Sequence, residues 1–476
     1  MDVNYNLLTD EVTHRLGHPH YPLTPLSSLE LLLQYGCSKR ATEEAVGYRI
    51  LRMNNLQAEG WALEELKYVQ LSPAEFASWR LERGDIVFNR TNSKELVGKC
   101  EVFNEEGDWV FASYLMRLRV DREKSLPEFV AAFLNTRAGR VQIDRASRQI
   151  IGMSNINAEE IRALRIPLPE LPKQVELLGM LQIGRDARFG KLKAAKDFLS
   201  GLDAFVLDEL GLILPLPDGR MAYAARLGDA RNRLDPDYHS PRFRTLRQKI
   251  EHGKYKFRTI QSLCSFIESG FAAGADDQTD EPATGVPHIR PLNISNTAEL
   301  RFDGTKMVPR SAVEPGDFLT KGEVLFNNTN STAWVGKSVV FDADRDCACS
   351  NHITRLRLAD KDDSPYFLAS VLNALRGLGY FGLLSTNFNN QAGINMETLN
   401  AVRLPWPGAE VQSKIAAEVA RCRTEARRLR DDADSLWHQA KACFEAALLG
   451  PAVRTGDTAS RVVPHRRVRR REGSEP

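Results

Sequence analysis

Two short stretches of the chain end an apolar run with the same cluster of amide, hydroxyl and basic side chains. They are IVFNRTNS at 86–93 and VLFNNTNS at 324–331. Amide side chains make bidentate pairs with adenine and arginine does so with guanine, whereas serine, threonine and lysine contact phosphate. These residue types suit the reading of a nucleic acid, although asparagine and threonine after a strand also cap turns without any ligand.

Comparable residues elsewhere extend both clusters, and we expect the two sets to contact bases or phosphates. The set in the first half is Arg52, Asn54, Asn55, Arg90, Thr91, Asn92, Ser93, Arg148, Gln149 and Asn155. The set in the second half is Arg290, Asn293, Asn327, Asn328, Asn330, Ser331, Asn387, Asn389, Asn390 and Gln391. Lys99 and Lys337 each follow a glycine, and they suit either a phosphate contact or a surface position of the framework.

Patterns typical of enzymes are missing from the sequence. It has no Asn-Pro-Pro-aromatic motif of an amino-methyltransferase and no glycine-rich loop ending in Gly-Lys-Ser/Thr. CACSNH at 347–352 combines two cysteines with a histidine, but it lacks the second cysteine pair of a structural zinc site. We therefore expect free thiols in a strand there, no metal, and no catalytic residues in this chain.

The two sets belong to an internal repeat with an offset of 238 residues. Residues 81–103 match 319–341 without a gap, and 12 of 23 positions are identical. The same register joins INAEEIRALRIPLP at 156–169 to INMETLNAVRLPWP at 394–407. A register kept over more than a hundred residues indicates a duplicated structural unit.

Each copy alternates short apolar runs with glycine and polar residues, which predicts the strands of a mixed α/β domain. A long helical stretch follows each copy, at about 171–211 and about 409–450. In the second stretch, small and apolar residues keep the alternating spacing of four and three that is typical of a coiled coil. They are Ile415, Val419, Cys422, Ala426, Leu429, Ala433, Leu436, Ala440, Cys443 and Ala447.

These elements predict a mixed α/β fold with two duplicated α+β domains, separated by two long helices that form an antiparallel coiled coil. The predicted segments are a first domain at 1–170, a central spacer helix at 171–213, a second domain at 214–408, a C-terminal spacer helix at 409–450 and a basic tail at 451–476. The alternative is that each helix packs only on its own domain.

Composition is typical of a soluble globular protein: the 476 residues are 42% hydrophobic and 26% charged. No apolar run is long enough to span a membrane, and the N-terminus has no apolar signal segment. Seven unevenly spaced cysteines indicate reduced thiols in a cytosolic protein.

Charge is unevenly spread, because a net charge of +2 includes a tail with seven arginines. This balance argues against a non-specific polyanion binder. We expect the tail to be disordered, either as a solvated end or with extra phosphate contacts.

The repeated motifs resemble those of the DNA specificity subunit of type I restriction–modification systems. They are GDIVF at 84–88, VGK at 97–99 and the step IPLPELPKQ at 166–174 into a long helix. The resemblance covers roughly residues 20–450. Glu323 stands where the first copy has Asp85, and the basic tail has no counterpart in the repeat.

The resemblance implies that each domain is a target-recognition domain that reads one half of a split site in double-stranded DNA. The coiled coil then acts as a ruler and docks two methyltransferase subunits. The chain itself is expected to hold no cofactor, whereas S-adenosylmethionine, ATP and Mg are expected in the methyltransferase and motor-nuclease partners in the cytoplasm. The alternatives are an adaptor of another anti-phage system, and a nuclease or methyltransferase fragment that carries these domains.

Overall fold

The structure is a computed structural model, and its described part forms two compact units. Unit 1 comprises Met1–Gly190 with Asp432–Pro476, and unit 2 comprises Lys191–Asp431. The described residues are 12–17, 19–57, 60–93, 96–150, 153–214, 222–224, 228, 236–274, 277–279, 285–388 and 391–450, with the backbone alone at 149, 150 and 388. Within them, every helix is too short or too polar to cross a bilayer.

Helices and strands alternate along both units. The helices are α1 (12–17), α2 (Pro73–Trp79), α3 (Pro127–Leu134), α4 (Arg137–Ala146), α5 (Ala158–Arg162), α6 (Leu171–Ser200), α7 (Leu202–Glu209), α8 (Pro241–His252), α9 (Ile260–Leu263), α10 (Pro365–Gly377), α11 (Tyr380–Leu384), α12 (Met396–Asn400) and α13 (Ala409–Leu449). The strands of unit 1 are β1 (Leu23–Pro25), β2 (Glu30–Tyr35), β3 (Tyr48–Leu51), β4 (Leu56–Gln57), β5 (Gly60–Trp61), β6 (Lys67–Val69), β7 (Ile86–Asn89), β8 (Thr91–Asn92), β9 (Cys100–Val102), β10 (Trp109–Phe111), β11 (Leu115–Val120), β12 (Arg148–Ile150), β13 (Met153–Asn155) and β14 (Arg165–Pro167). The strands of unit 2 are β15 (Phe257–Thr259), β16 (Cys264–Ser269), β17 (Gly285–Ile289), β18 (Met307–Pro309), β19 (Val324–Asn327), β20 (Thr329–Asn330), β21 (Ser338–Val340), β22 (Ala348–Cys349), β23 (Ile353–Leu358), β24 (Thr386–Phe388), β25 (Gln391–Gly393) and β26 (Arg403–Pro405).

The two units share one sheet topology. Unit 1 has an antiparallel sheet of order β2-β11-β7-β9, and unit 2 has β16-β23-β19-β21 in the same places. The three-stranded sheets also correspond, β10-β3-β6 to β22-β17-β18 and β12-β13-β8 to β24-β25-β20. The prediction of two duplicated mixed α/β domains is therefore confirmed.

The central strand of each unit is apolar at its first three positions because both faces of its sheet are covered. In β7, Ile86 and Phe88 pack into the core beside α3, while Val87 packs into a second cluster with Phe111. Since neighbouring side chains on a strand point to opposite faces, a continuous apolar run is what a sheet buried on both sides requires.

A buried carboxylate closes the turn before each central strand. In unit 1, Oδ1 of Asp85 accepts a hydrogen bond from Nε of Arg119 at 2.7 Å. In unit 2, Glu323 accepts from Nε of Arg355 at 3.1 Å and from Nη2 of Arg357 at 2.6 Å. Both carboxylates are at most 1% exposed, so the substitution of aspartate by glutamate preserves the ion pair.

A buried glutamine at the start of each long helix ties that helix to its domain. Gln174 accepts from the backbone N–H of Leu126 at 2.9 Å and donates to the carbonyl of Pro169 at 2.9 Å. Gln412, 238 residues later, accepts from the N–H of Ser364 at 2.9 Å and donates to the carbonyl of Pro407 at 3.0 Å. The glutamine of the repeated motif is thus a structural residue.

Segments of the two long helices pack antiparallel within unit 1. Nη2 of Arg188 on α6 lies 3.1 Å from Oδ1 of Asp434 on α13, and a Cβ added at Gly184 would overlap Ala440. As the residue number rises along α6, the partner's number falls along α13. The predicted antiparallel pairing is therefore confirmed there, and glycine is needed for the close approach.

The same two helices form an apolar cluster within unit 2. Ala195 of α6 is buried with Ala426 and Leu429 of α13. The guanidinium group of Arg421 lies 5.9 Å from the ring of Phe198. These contacts run antiparallel as well, so the alternative in which each helix packs only on its own domain is wrong.

The predicted seam on α13 is correct in its first part and wrong in its last part. Burial follows the four-and-three spacing as far as Ala433, but Trp437 and Phe444 are then buried in place of Leu436 and Cys443. Leu436 is half-buried and Cys443 is exposed. The seam shifts by one position because a straight helix has 3.6 residues per turn rather than 3.5.

The first helical stretch also differs from its prediction. A turn at Gly201 separates α6 from α7, so the stretch is not one helix. Val206 and Leu207 of α7 belong to the core of unit 2. The end of this stretch therefore serves the second domain rather than the helix pair.

Candidate nucleic-acid interface

In unit 1, a small sheet brings together predicted residues that are far apart in the chain. Strand β13 pairs with β12 and with β8, so Asn155 lies opposite both Arg148 and Thr91. Asn92 lies one pair further along, opposite Ser154. With Gln149, which also lies opposite Ser154, the fold gathers five members of the first predicted set in one sheet.

Arg90 precedes β8 and is held on three sides. Its guanidinium group lies 4.9 Å from the centre of the Tyr35 ring. Nη1 donates to the carbonyl oxygen of Ser113 at 3.1 Å, and Nη2 donates to Oδ1 of Asn155 at 3.3 Å. Because stacking and two hydrogen bonds fix its plane, this flexible side chain has lost part of its conformational entropy before any ligand arrives.

A cleft of about 250 Å³ adjoins Arg90, because Ser113, whose carbonyl oxygen accepts from Arg90, is part of its lining. Its polar and aromatic lining includes Lys39, Arg52, Asn54, Ser113 and Tyr114. Asn54 is exposed and Arg52 is half-buried. Two predicted residues therefore face a concave surface beside the stacked arginine, with amide and cationic groups that suit a base edge and a phosphate.

Asn55 is a framework residue, and so is its repeat equivalent Asn293. Asn55 is 3% exposed; its Oδ1 accepts from the N–H of Arg52 and its Nδ2 donates to the carbonyl of Ala62. Asn293 accepts from the N–H of Arg290 in the same way and is 4% exposed. With these bonds made in the interior, neither amide is available for a base.

A pair of residues forms the same turn in both units. The Oδ1 atom of Asn92 accepts from the N–H of Ser93 at 2.8 Å. Asn330 and Ser331 repeat this bond at 2.8 Å. The turn-capping alternative thus accounts for the Oδ1 atom of each asparagine.

In unit 2, the corresponding sheet places exposed amides on the hairpin of β24 and β25. Asn387 lies opposite Ala392 across the hairpin, and the side chains of Asn387 and Gln391 are both exposed. Asn330 pairs with Ala392 from the other side. The hairpin is therefore the place in unit 2 where the predicted amides reach the surface.

The two asparagines before β20 are buried. Nδ2 of Asn327 donates to the carbonyl of Trp334 at 3.2 Å. Nδ2 of Asn328 has Ser269 Oγ, Asn351 O and Thr354 Oγ1 within 3.2 Å. Both residues are at most 7% exposed, so they hold the end of the strand in place.

Several predicted residues are only partly accounted for. Arg148 is exposed, and its Nε donates to Glu160 at 3.1 Å. The side chain of Gln149, and the whole of Asn389, Asn390 and the basic tail at 451–476, lie outside the described residues. Their contact with DNA stays a prediction.

The paired lysines differ between the units. Nζ of Lys337 donates to the carbonyl of Ile294 at 2.6 Å, which gives it the framework role. Lys99 lines a separate cleft of unit 1 beside Glu101. Burial lowers the pKa of both lysines.

The first four residues of the CACSNH stretch are buried in unit 2, whereas Asn351 and His352 are exposed. Cys347 and Cys349 are buried and unbonded to other cysteines. Burial raises the pKa of Cys347 to about 11 and that of Cys349 to about 12, so both are thiols at neutral pH. Across the described ranges, His, Cys, Asp and Glu side chains form no cluster suited to a metal ion.

Three surface residues at the site were not predicted from the sequence. Tyr35 and Tyr114 are 42% and 50% exposed, and Leu292, at the repeat position of Asn54, is 87% exposed. Exposed large apolar side chains beside cationic groups suit base stacking or a thymine methyl group. A comparison of the two copies could have found them, since each of these residues aligns with a polar or smaller residue in the other copy.

Comparison with known proteins agrees with the motifs. No protein-family model matches the chain. Over 149 residues it is 26% identical to the EcoKI specificity subunit of Escherichia coli, covering 31% of this chain and 32% of that protein. Over 152 residues it is 24% identical to the putative MjaX specificity subunit of Methanocaldococcus jannaschii, covering 32% and 36%.

Both relatives are specificity subunits of type I restriction enzymes. The resemblance indicated by the motifs is confirmed. The matches span about a third of the length of these relatives. A solved structure, described as the basis of complex assembly and conformational transition of the type I R-M system, is 15% identical with a TM-score of 0.48, covering 90% of this chain and 97% of that one.

Proposed function

We propose that this chain is the DNA-specificity subunit of a type I restriction–modification complex. Unit 1 reads one half of a bipartite DNA site and unit 2 reads the other half. One observation carries the proposal: the two units share a sheet topology, yet the equivalent hairpins β12–β13 and β24–β25 present different polar side chains. Two units with the same framework but different surface side chains suit the recognition of two different short DNA sequences.

Residues that are identical in both units suit contacts with groups that every DNA half-site has, such as phosphates. Arg52 and Arg290 each precede the same short 3-10 turn, and each backbone N–H donates to the asparagine three residues later. Both arginines are half-buried. We assign them to phosphate, because phosphate contacts set the position on the duplex without reading its sequence.

The paired segments of α6 and α13 serve to set the spacing of the half-sites and to dock two methyltransferase subunits. Val175 and Ile183 of α6 are 58% and 73% exposed. Eight residues apart, they lie on one face of the helix. Arg421, at the repeat position of Ile183, pairs instead with Glu418 at 2.7 Å, so one docking face is apolar and the other is charged.

Catalysis belongs to the partners in this proposal. The methyltransferase subunits bind S-adenosylmethionine, and a motor-nuclease subunit binds ATP and Mg. The support is that the curated relatives are named specificity subunits. The complex acts in the cytoplasm, where the DNA is.

The decisive experiment is methylome sequencing of cells that express this chain with its methyltransferase, compared with cells that lack this chain. We expect a split motif of two short half-sites, methylated on both strands and lost without the chain. A complex that assembles and leaves the methylome unchanged would contradict the proposal and favour an adaptor role.

Docking is tested by co-purification with the methyltransferase. Ile183→Asp should reduce the bound methyltransferase from two copies to one, because the charge disrupts the apolar face. Arg421→Asp is the matched change on the other face and should remove the other copy. Retention of both copies in both variants would show that these faces are not the docking sites.

A further inference from the structure

Residues 90 and 328 occupy equivalent positions in the two units, and they can be compared directly. Both follow an asparagine at the end of the central strand, and both have the same backbone bonds. The N–H of Arg90 donates to the carbonyl of Tyr114 at 3.1 Å, and the N–H of Asn328 donates to that of His352 at 3.0 Å. Their carbonyls accept from Ile156 at 3.0 Å and from Ile394 at 2.9 Å. The two backbones are therefore equivalent, and only the side chains differ.

At residue 328, the amide is fully used inside the protein. Nδ2 of Asn328 contacts Thr354 Oγ1 at 2.9 Å and Ser269 Oγ at 3.2 Å. Its Oδ1 accepts from Oγ1 of Thr329 at 2.8 Å. The side chain is 7% exposed. A base could be bound only by breaking these bonds, which leaves buried polar atoms unpaired at a high cost.

The side chains around residue 90 differ from those around residue 328. Tyr35 lies across from Met116 on the neighbouring strand, whereas the same places in unit 2 hold Ser269 and Thr354. The two hydroxyl groups that bind the amide in unit 2 are thus replaced by an aromatic ring and a thioether. The ring forms a platform on which the guanidinium group of Arg90 stacks at 4.9 Å.

The stacked guanidinium keeps donors for a ligand. Of five N–H groups in an arginine side chain, Arg90 uses one toward Ser113 and one toward Asn155. Its Nε–H is buried, so the donors left for a base are one N–H on Nη1 and one on Nη2. A planar fork held in a fixed plane matches the O6 and N7 acceptors on the major-groove edge of guanine. Lysine has no such fork.

We infer that Arg90 reads a guanine in the first half-site, whereas Asn328 is a framework residue and reads no base. This inference rests on the proposed function, and it adds the base and the residue. It also implies that unit 2 reads its half-site from elsewhere, with the exposed amides of Asn387 and Gln391 as the available donors and acceptors.

The test uses the assembled complex with its methyltransferase and duplexes that carry both half-sites. Each guanine of the first half-site is replaced in turn by 7-deazaguanine, which lacks the N7 acceptor but still pairs with cytosine. At one position the wild-type complex should lose affinity, by less than the about 5- to 150-fold of a complete bidentate pair, because O6 still accepts a hydrogen bond. With Arg90→Ala, the same replacement should cost nothing further, because alanine has no donor for N7.

Matched variants separate reading from folding. Arg80, which lies 5.7 Å from the ring of Phe76, is another stacked surface arginine, and Arg80→Ala should leave the base preference unchanged. Asn328→Ala should lower the melting temperature and leave the base preference at both half-sites unchanged. Arg90→Lys keeps the charge, so a loss of preference with an intact melting curve assigns the effect to the fork.

The outcomes distinguish this inference from the proposed function. A first half-site without guanine, or equal losses for wild type and Arg90→Ala at every guanine, would overturn the role of Arg90. A change of base preference in Asn328→Ala would overturn the framework role. If the wild-type complex binds all sequences equally, the proposed function itself fails.

Discussion

The two units differ little in their interiors and strongly at the ends of the same strands. Inside, Asp85 and Glu323 both bind arginines, and Gln174 and Gln412 both tie a helix to its domain. At the strand ends, a stacked arginine in one unit replaces a buried asparagine in the other. The comparison shows that the buried ion pairs and helix ties are kept in both copies, whereas the side chains at the strand ends differ.

The largest expected effect is the loss of a buried carboxylate. Glu323→Ala leaves Arg355, which is 4% exposed, without its partner in the interior. An unpaired buried charge costs about 3–5 kcal/mol, so unit 2 should unfold first in urea denaturation. Asp85→Ala should do the same to unit 1. Equal stability of Glu323→Ala and wild type would show that the ion pair does not support the fold.

The next effect concerns the glutamines that begin the long helices. Gln174→Ala leaves the buried N–H of Leu126 unpaired, which costs about 1–3 kcal/mol. Gln412→Ala should cost less, because Gln174 also accepts from the buried hydroxyl of Ser125 at 3.2 Å, whereas Asp363, a further partner of Gln412, keeps its bond to Trp406 at 2.8 Å. Chemical denaturation of both variants measures the difference. A larger loss at Gln412 would contradict this ranking.

A smaller effect follows from glycines on α6. Gly184→Val forces apart the helices at Ala440, and overpacking of this kind costs about 1–3 kcal/mol. At Gly190, a Cβ would have no described neighbour within 4 Å, so Gly190→Ala should instead stabilise the helix by about 0.5–1 kcal/mol. A lower melting temperature for Gly184→Val, together with a higher one for Gly190→Ala, would confirm that the helices approach closely at Gly184.

The smallest effect is the pH dependence that Glu75 contributes to unit 1. Hydrogen bonds from Lys39 and Ser72 lower the pKa of Glu75 to about 2, from an ordinary value of 4.5. Because this pKa is lower in the folded state, the stabilisation is present above pH 4.5 and is lost as the pH falls toward 2. Titration of Glu75 by NMR should show it, and Lys39→Met should raise the pKa. Unit 2 has Val313 at the repeat position.

The repeat, the central strands and the helix pair could be predicted from the sequence because each has a strong local signal. Apolar runs marked the buried strands, and the repeat located them twice. The repeat of β1 and β2 has an offset of 234 rather than 238, as β15 and β16 show. The sequence match missed it because only the pattern of strands, and few identical residues, is shared there.

The site could be predicted only as a set of residue types. Asparagine gives the same sequence signal whether it closes a turn in the interior, as Asn55 does, or reaches the surface, as Asn54 does. The register of the strand and the neighbours across the sheet decide between them. Tyr35 was missed because its role depends on a contact with Arg90 that is not local in the chain.

Under the proposed function, the equivalent backbone bonds at residues 90 and 328 bear on how the recognised DNA sequence can change. Because the main chain is anchored by its own hydrogen bonds, the side chain there can change together with two neighbours on adjacent strands without a new fold. Few substitutions then separate one recognised DNA sequence from another. Because both units have these backbone hydrogen bonds, the recognised DNA sequence could change quickly in either unit while the fold stays the same.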